Sequence, residues 1–206
     1  MKGLLLKDFY MTVKYYKMSI LMDIMFIAVS FLSKDNLSFL IFPVIISGVT
    51  PITLLGYDEK FKWTKYSGAL PYSKAQIVSA KYLFGLIFQA VTALIVYIAL
   101  IARINIIGGA TIFEASQMLG AMFVVSLIMP AFCLPFCFKF GTEKGRIMYF
   151  IFVFVLSAAI WRLVSQNGIP KEAEKLMWAI IPAIAIIYAL SWLISIAVYG
   201  KREIKD

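Results

Sequence analysis

Side chains capable of chemistry are sparse in this chain, and their spacing favours docking over catalysis. There is no histidine among its 206 residues, which removes the usual proton shuttle and the commonest metal ligand. Cys133 and Cys137, the two cysteines, stand four residues apart in an apolar run. Two thiols alone do not close a zinc site, so they read as small packing residues and no metal is expected. Gly141-Thr142-Glu143-Lys144-Gly145-Arg146 has the composition of a phosphate-cradling loop but the wrong spacing. No GxSxG elbow, HExxH pair or closely spaced catalytic carboxylates occur in the sequence. No catalytic residue and no cofactor are therefore assigned to this chain.

The polar stretch from Tyr57 to Tyr82, YDEKFKWTKYSGALPYSKAQIVSAKY, carries the functional signal instead. Connections between helices need only a few residues, so a long one that is also patterned points to a surface. Asp58 and Glu59 are followed by Phe61, Trp63 and Tyr66 among lysines, and Leu70-Pro71 then turns the chain. Aromatic anchors ringed by charge are what protein interfaces favour. A helix lying on the membrane, with snorkelling lysines and an interfacial tryptophan, is the competing reading. A second polar set falls inside the apolar runs: Asp23, and then Ser47, Thr50 and Thr53 at threefold spacing. These four are the candidate lining of a substrate cavity. The bland alternatives are that Asp23 snorkels to the interface and that the hydroxyls satisfy carbonyls freed by Pro43 and Pro51.

Composition dictates the elements that position these residues. The chain is 62% hydrophobic and only 15% charged, with a mean hydropathy of +0.89, which marks a polytopic membrane protein. Runs such as Phe84–Leu100 are apolar on every face, which excludes the alternation of a β-barrel and implies helices. Six segments meet the length of about 17–25 residues per crossing: 18–34, 37–56, 81–102, 115–138, 146–164 and 176–199. Pro130 and Pro135 are expected to break the fourth and Pro182 the sixth. Residues 1–17 place Leu5, Phe9, Val13 and Tyr16 on one helical face, as in an interfacial amphipathic helix ahead of an uncleaved first span. Outside the membrane, Arg103–Glu114 and Arg162–Lys175 form short connections, the latter with a short helix after Pro170.

Fifteen of the twenty Lys and Arg fall on the side of the N-terminal arm, the polar stretch, Lys139–Arg146 and the tail. Both termini and the polar stretch are accordingly expected in the cytoplasm. The net charge of +9 is spread over sites beside the membrane, where anionic lipid accounts for it without nucleic acid.

The polar stretch also resembles the segment after the second span in permease subunits of type-2 ABC exporters. The matching residues are Asp58, Glu59, Trp63, Leu70, Pro71, Lys74, Ile77, Val78, Lys81 and Tyr82, and MKGLLLKDF at the start and the six-span layout agree. That resemblance implies residues 57–80 are a coupling segment. It further implies a separate cytoplasmic ATPase that binds ATP and magnesium and docks on Asp58, Glu59, Phe61, Trp63, Tyr66, Leu70 and Pro71, and a second permease subunit, a homodimer being expected. Among compact permeases the chain is most similar to those exporting amphipathic cytolytic peptides such as phenol-soluble modulins, which implies the plasma membrane of a Gram-positive-like bacterium. A nucleotide-independent transporter or channel and a toxin-immunity protein are the alternatives.

Overall fold

A computed structural model describes residues 1–32, 34–67, 70–108, 111–145, 147, 150, 151, 154 and 173–201. They form α1 (Lys2–Tyr15), α2 (Lys17–Ser30), a 3-10 segment (Lys34–Leu40), α3 (Ile41–Lys60), α4 (Trp63–Ser67), α5 (Lys74–Ile107), α6 (Ile112–Phe140) and α7 (Ala173–Gly200). Residues 142–145 open a further helical segment, and no strand occurs among the described residues.

Among the described residues, four helices are long and apolar enough to cross a bilayer: Asn36–Lys60, Lys74–Ile107, Ala115–Phe140 and Pro182–Gly200. They answer to the second, third, fourth and sixth expected spans, while the fifth, 146–164, lies almost wholly outside the described residues. The first requires correction. In place of a run over 18–34, α2 stops at Ser30 after 14 residues, about 21 Å of helix against a ~30 Å hydrocarbon core. Its end is set by side chains that reach the last carbonyls, which have no partner within a helix. Asn36 Nδ2 donates to Val29 O at 3.2 Å, and Arg103 Nε donates to Ser30 O at 2.6 Å. Arg103 is thus not in an outer connection, as expected, but inside α5 and fully buried.

α5, with 34 residues, is about 51 Å long, so it outlasts the apolar slab and absorbs the end of the polar stretch. Ser73 starts it with a capping box, its Oγ accepting from Gln76 N while Gln76 Oε1 accepts from Ser73 N. Gly108, at φ 74°, closes it. Of the outer connections, 162–172 lies outside the described residues, and Glu174 and Lys175 belong to the start of α7.

The prolines behave differently from expectation. Pro43 falls in the first turn of α3, where its missing N–H has no helical partner to lose. Pro130 and Pro135 lie within α6 and Pro182 within α7, and neither helix is broken. At Pro135 a neighbouring helix supplies what the proline removes. Pro135 leaves the Ala131 carbonyl without its helical donor, and Ser191 Oγ of α7 donates to that oxygen. Pro130 likewise frees the Ser126 carbonyl. Gly48 of α3 packs directly onto it, so a Cβ at Gly48 would stand 2.6 Å from Ser126 O.

Two apolar clusters hold the bundle together. One gathers Leu4, Ile52, Val78, Tyr82, Leu134, Phe138 and Tyr188 around the end of the bundle that carries α4. The other gathers Leu40, Val44, Val96, Leu100 and Leu119 at the opposite end. Small residues bring the helices close between them, as at Gly85, where a Cβ would stand 3.0 Å from Pro51 Cγ. A polar seam ties α5 to α7: Tyr82 Oη lies 2.8 Å from Ser191 Oγ and 2.7 Å from Ser195 Oγ, and Trp192 Nε1 donates to Ser79 Oγ at 2.9 Å.

Candidate functional site

α1 turns a line of residues into the protein and leaves part of its apolar face outside. Leu4, Asp8 and Thr12 are buried along the helix at fourfold spacing, with Tyr16 continuing the line. Phe9 and Val13 are about half exposed, at 54% and 48%. In a membrane protein apolar side chains can face lipid, whereas a carboxylate needs a partner inside the protein.

Asp8 finds that partner in a buried ring of four charges. Its Oδ1 lies 2.7 Å from Lys81 Nζ and 3.3 Å from Lys7 Nζ. Asp58 closes the ring, with Oδ1 2.7 Å from Lys7 Nζ and Oδ2 2.6 Å from Lys81 Nζ. Carboxylates and ammoniums alternate, the sum is neutral, and α1, α3 and α5 each contribute. The side chains of Asp8, Asp58 and Lys81 are nearly all out of reach of solvent, and only Lys7 keeps a fifth of its surface. Burial and the neighbouring Lys81 charge hold the Lys7 ammonium below the usual lysine range, against the pull of the two carboxylates. Desolvating four ions costs several kcal/mol each and is offset only by close, complete pairing. Such a ring therefore contributes position more than stability.

From this ring the chain turns outward. α3 ends at Lys60, Phe61 N returns to Tyr57 O and Lys62 N to Glu59 O. Lys62 takes the left-handed conformation at φ 53°, one that favours glycine, and so reverses the chain into α4. Glu59 faces inward as well: its Oε2 accepts from Thr142 N at 2.9 Å and Thr142 Oγ1 at 2.5 Å. A carboxylate is thereby set at the N-terminus of the segment after α6, where it satisfies free amides and the helix dipole. Gly141, at φ 92°, makes the turn that brings Thr142 there.

The docking residues expected from sequence accordingly divide. Asp58 and Glu59 are engaged within the chain. Trp63 is half-buried with the Lys7 ammonium 4.3 Å from its ring centroid. Phe61, Tyr66, Leu70 and Pro71 are exposed, Tyr66 to 67%. Tyr15 and Tyr57 extend that surface in a stack: the Tyr15 and Tyr57 rings are 5.1 Å apart and Tyr15 and Phe61 5.5 Å apart. The coupling segment, expected over 57–80, is in the structure an elbow of α3, the five-residue α4 and the start of α5.

Of the four residues expected to line a cavity, Asp23 stands on α2 and Ser47, Thr50 and Thr53 on α3. Ser47 Oγ donates to Val44 O at 2.7 Å and Thr53 Oγ1 to Val49 O at 3.3 Å, so both hydroxyls serve carbonyls of their own helix. Thr50 is fully buried, and its Oγ1 and Asp23 Oδ1 have no hydrogen-bond partner among the described residues.

Sequence reading gave Asp8 and Thr142 no functional role and valued Lys81 only as part of the polar stretch. One signal was present: Asp8 shares a helical stripe with Leu4 and Thr12, and Asp58 and Lys81 both sit where apolar runs meet the polar stretch, a charge-balanced set.

Long apolar helices, close small-residue packing and a rigid polar elbow define an integral membrane protein of the helical-bundle class. The family model described as ABC-2 family transporter protein matches residues 3–200, and the chain belongs to that family. Membership in that family implies a membrane subunit of a transporter and partnership with an ATPase subunit. No curated protein and no solved structure matches the chain.

Proposed function

We propose that this chain is the permease subunit of an ATP-driven exporter and that a separate cytoplasmic ATPase, which binds ATP and magnesium, docks on the α3–α4–α5 elbow. One observation carries the reading. The elbow turns its acidic side chains inward, Asp58 to two lysines and Glu59 to Thr142, and leaves Phe61, Tyr66, Leu70 and Pro71 outside among Lys60 and Lys62. A rigid aromatic surface backed by satisfied charges is what a force-bearing interface requires. ATP-driven movement of the partner acts through its different affinities for two permease conformations.

The substrate class that fits is an amphipathic, cytolytic peptide, taken from the inner leaflet by a pair of identical permeases in a bacterial plasma membrane. Asp23 and the hydroxyls of Ser47, Thr50 and Thr53 would serve as the polar lining of the shared cavity. The positive charge around the elbow supports a cytoplasmic position for it and for both termini.

Substrate-stimulated ATPase activity of the purified complex tests this, with amphipathic peptides, lipids and drugs compared in one assay. Peptide-specific stimulation is expected. Trp63→Ala should leave the chain inserted and uncouple hydrolysis from export, lowering transport per ATP by about tenfold; full transport by Trp63→Ala counts against the elbow. Accumulation in vesicles without nucleotide would identify a secondary transporter or channel, and peptide binding with no accumulation an immunity protein.

A further inference from the structure

Nothing in the chain's connectivity obliges α1 to move with the elbow. Lys7 and Asp58 are 51 residues apart and Asp8 and Lys81 are 73 apart, with α2 and the 3-10 segment between. Apolar contact is non-directional and tolerates sliding. An alternating ring of charges does not, because a shift of α1 by one residue sets Lys7 or Phe9 where Asp8 meets Lys81. Separation of such charges away from water costs far more than at a surface. The same ring reaches α4: the Lys7 ammonium stands over the Trp63 ring, whose buried indole Nε1 has no hydrogen-bond partner among the described residues.

We propose that Lys7, Asp8, Asp58 and Lys81 form a register lock that makes α1 and the elbow move as one body. Asp8 and Lys81 are its positioning residues, and Lys7 is the link to Trp63. The consequence for transport rests on the docking role proposed above; the lock itself does not. A push on α4 passes through Lys7 to α1, and the exposed apolar face of α1, with Leu6, Phe9 and Val13, shifts against the lipid together with the bases of α3 and α5.

Spin labels at Tyr10 on α1 and Tyr66 on α4, which are 64% and 67% exposed, test the lock in the full chain. The background is Cys133→Ser with Cys137→Ser, reconstituted in nanodiscs. A single narrow distance distribution is expected, and Asp8→Asn should broaden or split it; a width unchanged by Asp8→Asn overturns the lock. Because one unpaired buried charge can unfold α1, a second variant combines Lys7→Met with Asp8→Leu. It keeps the net charge and leaves the Asp58–Lys81 pair intact, so only the charged hold on α1 is lost. With the ATPase bound, this variant should hydrolyse ATP while transport per ATP falls about tenfold; native transport per ATP overturns the proposal. If no ATPase co-purifies with the native chain, the docking reading fails, and the label distances, which need no partner, still decide the lock.

Discussion

Charge placement is the decisive feature at the scale of single residues. Asp8, Asp58 and Lys81 are buried, and each is tolerated because an opposite charge stands within 2.7 Å of it. Removing one leaves a buried charge unpaired, so Asp8→Ala should lower stability by ~3–5 kcal/mol, read as a loss of thermal stability in detergent. Truncating an exposed lysine such as Lys60 should change stability by less than ~0.5 kcal/mol. Equal losses from the two substitutions would show that the ring is not closed. The polar stretch stands out in the sequence by its composition, and the lysines and carboxylates that pair around it are visible there as residues. Their pairing is not, because it joins positions 51 and 73 residues apart, and no local periodicity records such a contact.

Helices meet here through prolines and glycines, and their effects depend on the neighbour. Ser191 donates to the carbonyl that Pro135 leaves free. Ser191→Ala should therefore cost ~0.6–1.7 kcal/mol in the native chain and much less beside Pro135→Ala, which restores the helical donor. A double-mutant cycle on unfolding in detergent reads this, and additive losses would dissociate the two residues. Glycines should separate in the same way. A Cβ at Gly48 meets the Ser126 carbonyl at 2.6 Å, whereas one at Gly120 meets nothing within 4 Å. Gly48→Ala should destabilise by ~1–3 kcal/mol, while Gly120→Ala should be neutral or stabilise by ~0.5–1 kcal/mol. Hydropathy predicts where such helices run, as it did for α3, α5, α6 and α7. It misplaced the end of α2, because Asn36 and Arg103, the latter from another helix, cap its final carbonyls. It also expected the α6 and α7 prolines to break their helices, whereas both run through, and at Pro135 the compensating donor, Ser191, comes from another helix.

For the whole molecule, the asymmetric distribution of Lys and Arg predicts that the elbow faces the cytoplasm. A Tyr66→Cys chain in a Cys133→Ser, Cys137→Ser background should react with an impermeant thiol reagent only when the cytoplasmic face is open to it. Labelling from outside intact cells would reverse the topology and remove the elbow from any cytoplasmic ATPase. The class of the protein and its helical build follow from composition, because a bilayer imposes the same solvent on every stretch of chain and reads each one locally. Where α2 ends, how Asp8 is paired and how Asp58 and Glu59 are engaged within the chain follow from packing alone. Those outcomes rest on electrostatic and hydrogen-bonded contacts between distant segments, whose energies exist only once the helices have come together.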